Sequence, residues 1–276
     1  CYTLTDKNLY LEFQKNIVGG YSACPVKKNR GGPETFLAYI DASNLYGVSM
    51  SEFSLPYKYY KTIQEDCQDY YNSITNTEKY TYFVKADIDH WNDDPEKFRQ
   101  VCTKFHDFVP FPENIVVKPE YLSEYQRSLG TPTQSKKLIM HFFPKTVFTD
   151  YRLLKLAVDI GAVRIKQIHK IEVFHAQKHL RGFINQCRDL RNKATSDSAK
   201  NIFKLFSNSV YGKQLQNVLN FDESKFAKTN NDATILRHNN HPLFKSRTII
   251  NDKNVLYQRY PKEIRLNQAI FVGKSV

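Results

Sequence analysis

Lys204-Leu205-Phe206-Ser207-Asn208-Ser209-Val210-Tyr211-Gly212-Lys213 is the stretch on which the reading of this chain turns. At 3.6 residues per turn, Lys200, Lys204, Asn208 and Tyr211 fall on one stripe of a helix, and Phe203, Phe206 and Val210 fall on another. The second stripe is expected to face the core. The first lines up a cation, an amide and a phenol. Lysine offers phosphate a point charge, and tyrosine offers a nucleobase a π-face. The wet face of an ordinary amphipathic helix has the same spacing, so the stretch needs partners elsewhere in the chain.

Charge distribution supplies the first of them. The chain carries 40 Lys and Arg against 28 Asp and Glu, a net charge of +12. Between Asp150 and Leu215 there are 13 basic and 5 acidic side chains, so +8 of that excess lies in the quarter containing the Lys204 stripe. A polyanionic partner, nucleic acid or nucleotide, therefore ranks ahead of a membrane. No run of 18 apolar residues exists to span a bilayer. Cys1, Cys24, Cys67, Cys102 and Cys187 are scattered and form no C-x-x-C pair, which argues against a zinc cage or a disulfide framework and for a reducing compartment. A nucleus or a viral replication site would satisfy that, and the sequence does not choose between them. The chain opens on Cys1 and stops within an apolar-rich run at Val276, so both ends look cut and a fragment is expected.

Taken in order, the pattern predicts a helix over Asp6 to Phe13 and turns at Gly19-Gly20 and Gly31-Gly32-Pro33. Thr35 to Ile40 reads as a short buried strand running into Asp41. A carboxylate there can present a metal ligand or cap the helix that follows. A tyrosine-rich middle segment has a strand around Tyr80 to Asp87 and a short helix near Glu96 to Phe108. Asp87, Asp89 and His90 can be drawn as a metal cluster, but polar neighbours just before Pro95 more often make a turn. From Asp150 a helix with Leu153, Leu154 and Ala157 inward ends at Gly161, and Val163 to Phe174 alternates as a strand or two. A second helix puts Leu180, Phe183, Ile184, Cys187 and Leu190 on its core side and carries Arg188 and Arg191 near its end. A turn at Ala194 to Asp197 then leads into the Lys204 helix, which would bring Arg191 near Lys204. Later, Thr248 to Ile250 and Val255 to Tyr257 suit a hairpin, His238 and His241 read as surface residues, and Ala269 to Val276 begins another helix.

Two motifs connect these parts. Asp41-x-x-x-Leu45-Tyr46-Gly47 resembles motif A of family B DNA polymerases in the protein-primed, organellar and viral group. Lys204-x-x-x-Asn208-Ser209-x-Tyr211-Gly212 resembles their motif B, in the right order and 163 residues downstream. Leu4 to Gly20, Phe108 to Glu113, Tyr151 to His169 and Leu266 to Gly273 are also similar to Polinton/Maverick-type members, so the resemblance covers nearly the whole chain. It departs in three places. Asn44 and Gly47 stand where motif A commonly has Ser and Pro, and Ile17 stands where protein-primed enzymes have the tyrosine of a Y-x-G-G turn.

The resemblance implies an α+β fold, a right-hand polymerase palm with a helical fingers hairpin. Residues 1–56 would be the N-terminal palm with motif A. Residues 57–148 would be an insertion contacting a terminal priming protein, 149–218 the fingers with motif B, and 219–276 a second insertion and the start of the C-terminal palm. Template-directed nucleotidyl transfer in this family uses two Mg²⁺ ions. Asp41 would be one metal ligand with the Ala42 carbonyl as a second contact, and Asp41 and Lys204 would be catalytic. The backbone N–H groups of Asn44 and Leu45 would face the triphosphate, and Tyr46 would pack under the sugar. Lys204, Arg191 (with Arg188 as the rival) and Asn208 would bind phosphates, Tyr211 would lie against the nascent base pair, and Gly212 would belong to the same nucleotide-binding set. Primer-template DNA and deoxynucleoside triphosphates are the implied partners. No match to the family's second aspartate motif, Y-x-D-T-D-S, occurs, nor does an exonuclease domain or a thumb. The chain by itself is therefore expected not to polymerise DNA. A non-catalytic nucleic-acid-binding module, a decayed mobile-element remnant and an unrelated basic protein are the competing readings.

Overall fold

The computed structural model describes residues 2–21, 30–34, 36–38, 40–41, 44–105, 110–130, 136–228 and 232–276. The first part of the chain gives α1 (Lys7–Lys15), α2 (Leu45–Glu52), β1 (Leu55–Ile63), α3 (Cys67–Ser73), β2 (Tyr80–Asp89) and α4 (Pro95–Phe105). The middle gives β3 (Glu113–Val116), α5 (Glu124–Ser128), β4 (Lys136–Ile139), β5 (Lys145–Asp150), α6 (Tyr151–Asp159) and β6 (Arg164–Gln177). The rest is α7 (Arg181–Lys193), α8 (Asp197–Gln214), β7 (Glu223–Lys228), α9 (Asp232–Asn239), β8 (Phe244–Asn251), β9 (Asn254–Arg259) and α10 (Ile270–Ser275). Helices and antiparallel sheets are thus mixed along the chain.

The organising sheet is antiparallel, in the order β1-β6-β2-β5. Its central strands are covered on both faces over most of their length, so β2 is continuously buried from Thr81 to Val84 and keeps its charged residues Lys85, Asp87 and Asp89 to its second half. Successive side chains point to opposite faces. Tyr82, Val84, Ala86 and Ile88 pack with Ile171 and Val173 of β6 against Tyr151, Leu154 and Ala157 of α6 and Cys67 and Tyr71 of α3. Phe83 and Phe174 point the other way and join Phe13 of α1, Met50 of α2, Ile184 of α7 and Phe271 of α10. Phe13 is the hub of that second core, meeting Phe83 at 4.8 Å and Phe148 at 5.0 Å edge-to-face. β3 and β4 form a two-stranded sheet, and β7, β9 and β8 form a three-stranded one with its own small core of Ala227, Val255 and Tyr257.

Local signals explain most boundaries. Asp6 caps α1 by accepting from the backbone N–H groups of Asn8 and Leu9 at 2.7 and 3.3 Å. Gly161 follows α6 at φ +80°, a conformation that glycine adopts without a Cβ penalty. Ser196 caps α8 by accepting from the Ala199 N–H at 3.3 Å. The segment 163–174 is one long strand extending to Gln177, with register shifts that keep it paired to both neighbours. Asp87 and Asp89 bind no common partner. Asp87 pairs with His169 at 2.8 Å, Asp89 accepts both arms of Arg164 at 3.0 and 2.9 Å, and a turn follows.

Several expectations need correction. The buried strand over Thr35 to Ile40 is absent at its described residues, Phe36, Leu37, Ala38 and Ile40, with Phe36 90% and Ile40 88% exposed. None of the four strands of the main sheet pairs with them, so an apolar run with strand propensity has no ladder to join. Leu153, Phe183, Leu190 and Phe206 are also exposed. α7 and α8 lie on the rim of the second core and α6 covers the first core with Tyr151, Leu154 and Ala157, so each buries a narrower stripe than expected. His238 is buried rather than on the surface, stacked on Tyr257 with ring centroids 4.6 Å apart. There its Nδ1 accepts from the buried Arg259 guanidinium at 2.8 Å, and burial together with Arg259 lowers its pKa.

Candidate nucleotide-binding surface

Three helices meet at the rim of the second core. α7 and α8 form an antiparallel hairpin, and α2 packs against both. Chain order explains the placement: α2 follows the motif A turn directly, and its buried Met50 anchors it among the phenylalanines. α8 is held by Val210, Tyr211 and Leu215 packing on that core and by contact with α10. The approach to α10 is close enough that a Cβ on Gly273 would stand 2.7 Å from the Leu215 side chain.

This assembly brings the two motifs into contact. The rings of Tyr46 and Tyr211 stack with centroids 4.3 Å apart and planes 19° from parallel. Tyr46 is 43% exposed, while Tyr211 is half-buried. Burial raises the Tyr211 phenol pKa and the neighbouring Tyr46 adds to it, so the Tyr211 ring stays neutral at physiological pH. Sequence reasoning gave each ring a role but did not foresee their stacking, because nothing in either motif encodes the distance between α2 and α8.

Around this stack the other predicted residues take the following positions. Asn44 sits at the N-cap of α2 in the left-handed region, φ 55°, and its side chain makes no capping hydrogen bond. It folds over Gly47 instead, where a Cβ would meet Asn44 Nδ2 at 2.0 Å. The two departures from the family pattern are therefore coupled, since the asparagine side chain occupies the volume that any side chain at 47 would need. Leu45 is exposed at the first turn of the helix. Lys204 and Asn208 are exposed on α8, and Arg191 is exposed in the last turn of α7. Neither Lys204 nor Arg191 has a hydrogen bond or ion pair among the described residues, whereas Arg188 lies 3.8 Å from Asp189. The two cations are not side by side. Counting from the hairpin turn, Lys204 lies deeper by more than one helical turn, about 7 Å at 1.5 Å per residue. Gly212 is exposed within α8 and a Cβ there would touch nothing within 4 Å.

Asp41 is exposed, and Ala42 lies outside the described residues. Among the described residues no group of three His, Cys, Asp or Glu side chains could hold a metal ion. Two divalent cations need several shared carboxylate oxygens. A single solvated aspartate does not fit them.

No family model matches the chain, and no curated protein matches it. Among solved structures, the chain is similar to phi29 DNA polymerase complexed with primer-template DNA in a post-translocation binary complex. The TM-score is 0.49 at 12% identity, over 99% of this chain and 38% of that one. The ternary complex of phi29 DNA polymerase with primer-template DNA and incoming nucleotide substrates gives 0.47 at 13% identity, over 99% and 39%. An orthorhombic crystal form of the same polymerase gives 0.44 at 12% identity, over 84% and 32%. The chain thus spans less than two fifths of the length of the polymerase chains to which it is similar.

Proposed function

We propose that this chain is the palm-and-fingers portion of a protein-primed family B DNA polymerase, with α2 and the α7–α8 hairpin holding an incoming deoxynucleoside triphosphate on primer-template DNA. One observation carries the reading: the tyrosines of the two motifs, 165 positions apart in sequence, stack ring on ring at a rim lined by unpaired cations. In this reading Lys204 and Arg191 bind the phosphates as charges free of internal partners, and Asn208 adds an amide. The N–H groups of Asn44 and Leu45 point to the triphosphate, Tyr46 underlies the sugar, and Tyr211 faces the base pair. Gly212 supports the same reading. A glycine in a helix costs about 1 kcal/mol against alanine, and no packing here requires one, which suits close approach of a base pair or template strand. The 57–148 segment, which supplies most of β1, all of β2 and the first four residues of β5, would meet the priming protein, with 149–218 as fingers and 219–276 as a second insertion.

Nucleotidyl transfer in the family draws on two metal ions, for which Asp41 is one ligand at most. These 276 residues are accordingly expected to bind triphosphate and DNA without incorporating nucleotide. The lone carboxylate equally suits a non-catalytic descendant that binds nucleic acid alone, and one variant separates the two. Equilibrium binding of a fluorescent deoxynucleoside triphosphate and of a labelled primer-template is compared for the chain and for Lys204→Ala. The polymerase reading expects triphosphate affinity to fall roughly tenfold or more, the loss of a charge-assisted contact, with DNA affinity changed far less. An equal, small loss for both ligands would overturn it.

A further inference from the structure

β1 is an edge strand, and its pairing with β6 is interrupted twice. The register runs Pro56↔Ala176, Lys58↔His175, Tyr59↔Phe174, Lys61↔Val173, so Tyr57 and Tyr60 are each an extra residue without a partner across the ladder. A bulge re-aims the side chain it inserts. Both inserted rings go to the same neighbour: the centroid of Tyr60 is 4.8 Å from that of His175, and that of Tyr57 is 6.2 Å away. Tyr80, which pairs with His175 from the β2 side, completes the set at 5.3 Å from His175 and 6.0 Å from Tyr60.

These rings lie on the face that α3 and α6 cover further along the sheet, and the cover stops short of them. Tyr60 is 51% exposed, and Tyr57, Tyr80 and His175 are half-buried. Their planes are tilted by 31° to 51° to one another, so this is an open pavement of π-faces rather than an edge-to-face core. Cations border it. Lys61 Nζ stands 5.6 Å from the Tyr60 ring centre and 5.5 Å from that of Tyr70, and Lys58 and Lys79 are exposed on the same strand ends. The nearby acidic side chain of Glu78 is engaged by Ser54 Oγ at 2.9 Å.

We infer that this bulged, aromatic end of the sheet binds single-stranded nucleic acid. Rings on the face of an antiparallel sheet stack about two or three unpaired bases, and lysines beside the rings meet the intervening phosphates. A duplex hides the base faces that the platform would use, and an apolar protein partner would leave the bordering lysines without counter-charge. The inference is independent of the triphosphate site, from which it differs in strands, residues and ligand.

The test is fluorescence anisotropy of a labelled oligothymidylate and of a labelled duplex titrated with the full chain and with Tyr60→Ala, Tyr60→Phe and Lys61→Gln. Tyr60→Ala should weaken oligothymidylate binding roughly tenfold and leave duplex binding, triphosphate binding and the melting temperature near those of the parent. Tyr60→Phe should bind as the parent does, because it keeps the π-face. Lys61→Gln, an exposed change that leaves the rings in place, should flatten the slope of log K against log salt by about 0.7, one phosphate contact on a single strand. Oligothymidylate binding indifferent to both Tyr60→Ala and Lys61→Gln would overturn the inference and give the face to a protein partner. So would equal losses on duplex and single strand.

Discussion

Gly212 is where the proposed site and the stability of its helix make opposite demands on one residue. Gly212 lies in a helix with open space where a Cβ would sit, so Gly212→Ala should raise the stability of the folded chain by up to about 1 kcal/mol. If the site reading holds, the added methyl intrudes on the bound base pair, and binding of triphosphate on primer-template weakens while the melting temperature rises. A rise in both would remove glycine from the site. At this scale the sequence was informative where chemistry is carried by residue type. Lys204, Asn208 and Tyr211 lie on one side of α8 as their spacing required, although Tyr211 is half-buried while the other two are exposed. It was less so where burial decides. Phe206 is half exposed and His238 is buried because α8 sits on a rim and His238 on a small sheet, facts set by tertiary contacts and not by either side chain. The coupling of Asn44 to Gly47 was invisible for the same reason, since both positions read only as departures from a pattern until their atoms were found to share a volume.

At the scale of elements, the turn after β2 contributes to the response to acid, together with His238 in α9, whose pKa is also lowered by burial. His90 is fully buried, and burial, with Lys145 nearby, lowers its pKa from 6.5 to about 4. Its Nδ1 faces the Phe142 carbonyl at 3.3 Å, so the neutral ring donates there, and its buried Nε2 has no partner among the described residues. A group whose folded pKa is depressed stabilises fully above its unfolded pKa, and that contribution is lost as pH falls towards the folded value. Between pH 6.5 and about 4 the unfolded chain takes up a proton that the folded one resists, at a cost on the order of 3 kcal/mol. Asp93, hydrogen-bonded by Arg164, titrates below its ordinary value, so its contribution disappears only below that window. Chemical denaturation at pH 7, 5.5 and 4.5 should show stability falling in the parent and falling much less in His90→Asn. Parallel slopes would refute the assignment to His90. Elements were the most legible scale for β2, β6 and the α7–α8 hairpin, where periodicity, a capping Ser196 and a turn agree. The run at 35–40 was misjudged because strand propensity is satisfied only by a neighbouring strand, and no local pattern says whether one is there.

At the scale of the whole molecule, two cores on opposite faces of one sheet decide where the chemistry can be. The phenylalanine core built on Phe13 gathers α1, α2, α7 and α10, and the rim of that core is where segments remote in sequence come together. Seven of the cations between Asp150 and Leu215 lie on α7 and α8, against only Asp189 and Asp197 there, which suits a polyphosphate or a nucleic acid backbone. The charge bias of these helices was legible in the sequence, and the packing of α2 on them was not. The aromatic end of the sheet was not foretold, because the bulges that expose Tyr57 and Tyr60 depend on register with β6 more than a hundred residues away.

If Tyr46 of α2 and Tyr211 of α8 belong to one nucleotide site, a double-mutant cycle between them should reveal it. Binding of a fluorescent deoxynucleoside triphosphate would be measured for the chain, Tyr46→Ala, Tyr211→Ala and the double variant. A shared site with the rings 4.3 Å apart predicts a coupling energy of about 1 kcal/mol, with the double variant losing less than the sum of the singles. Strictly additive losses, or triphosphate affinity unmoved by either substitution, would contradict it.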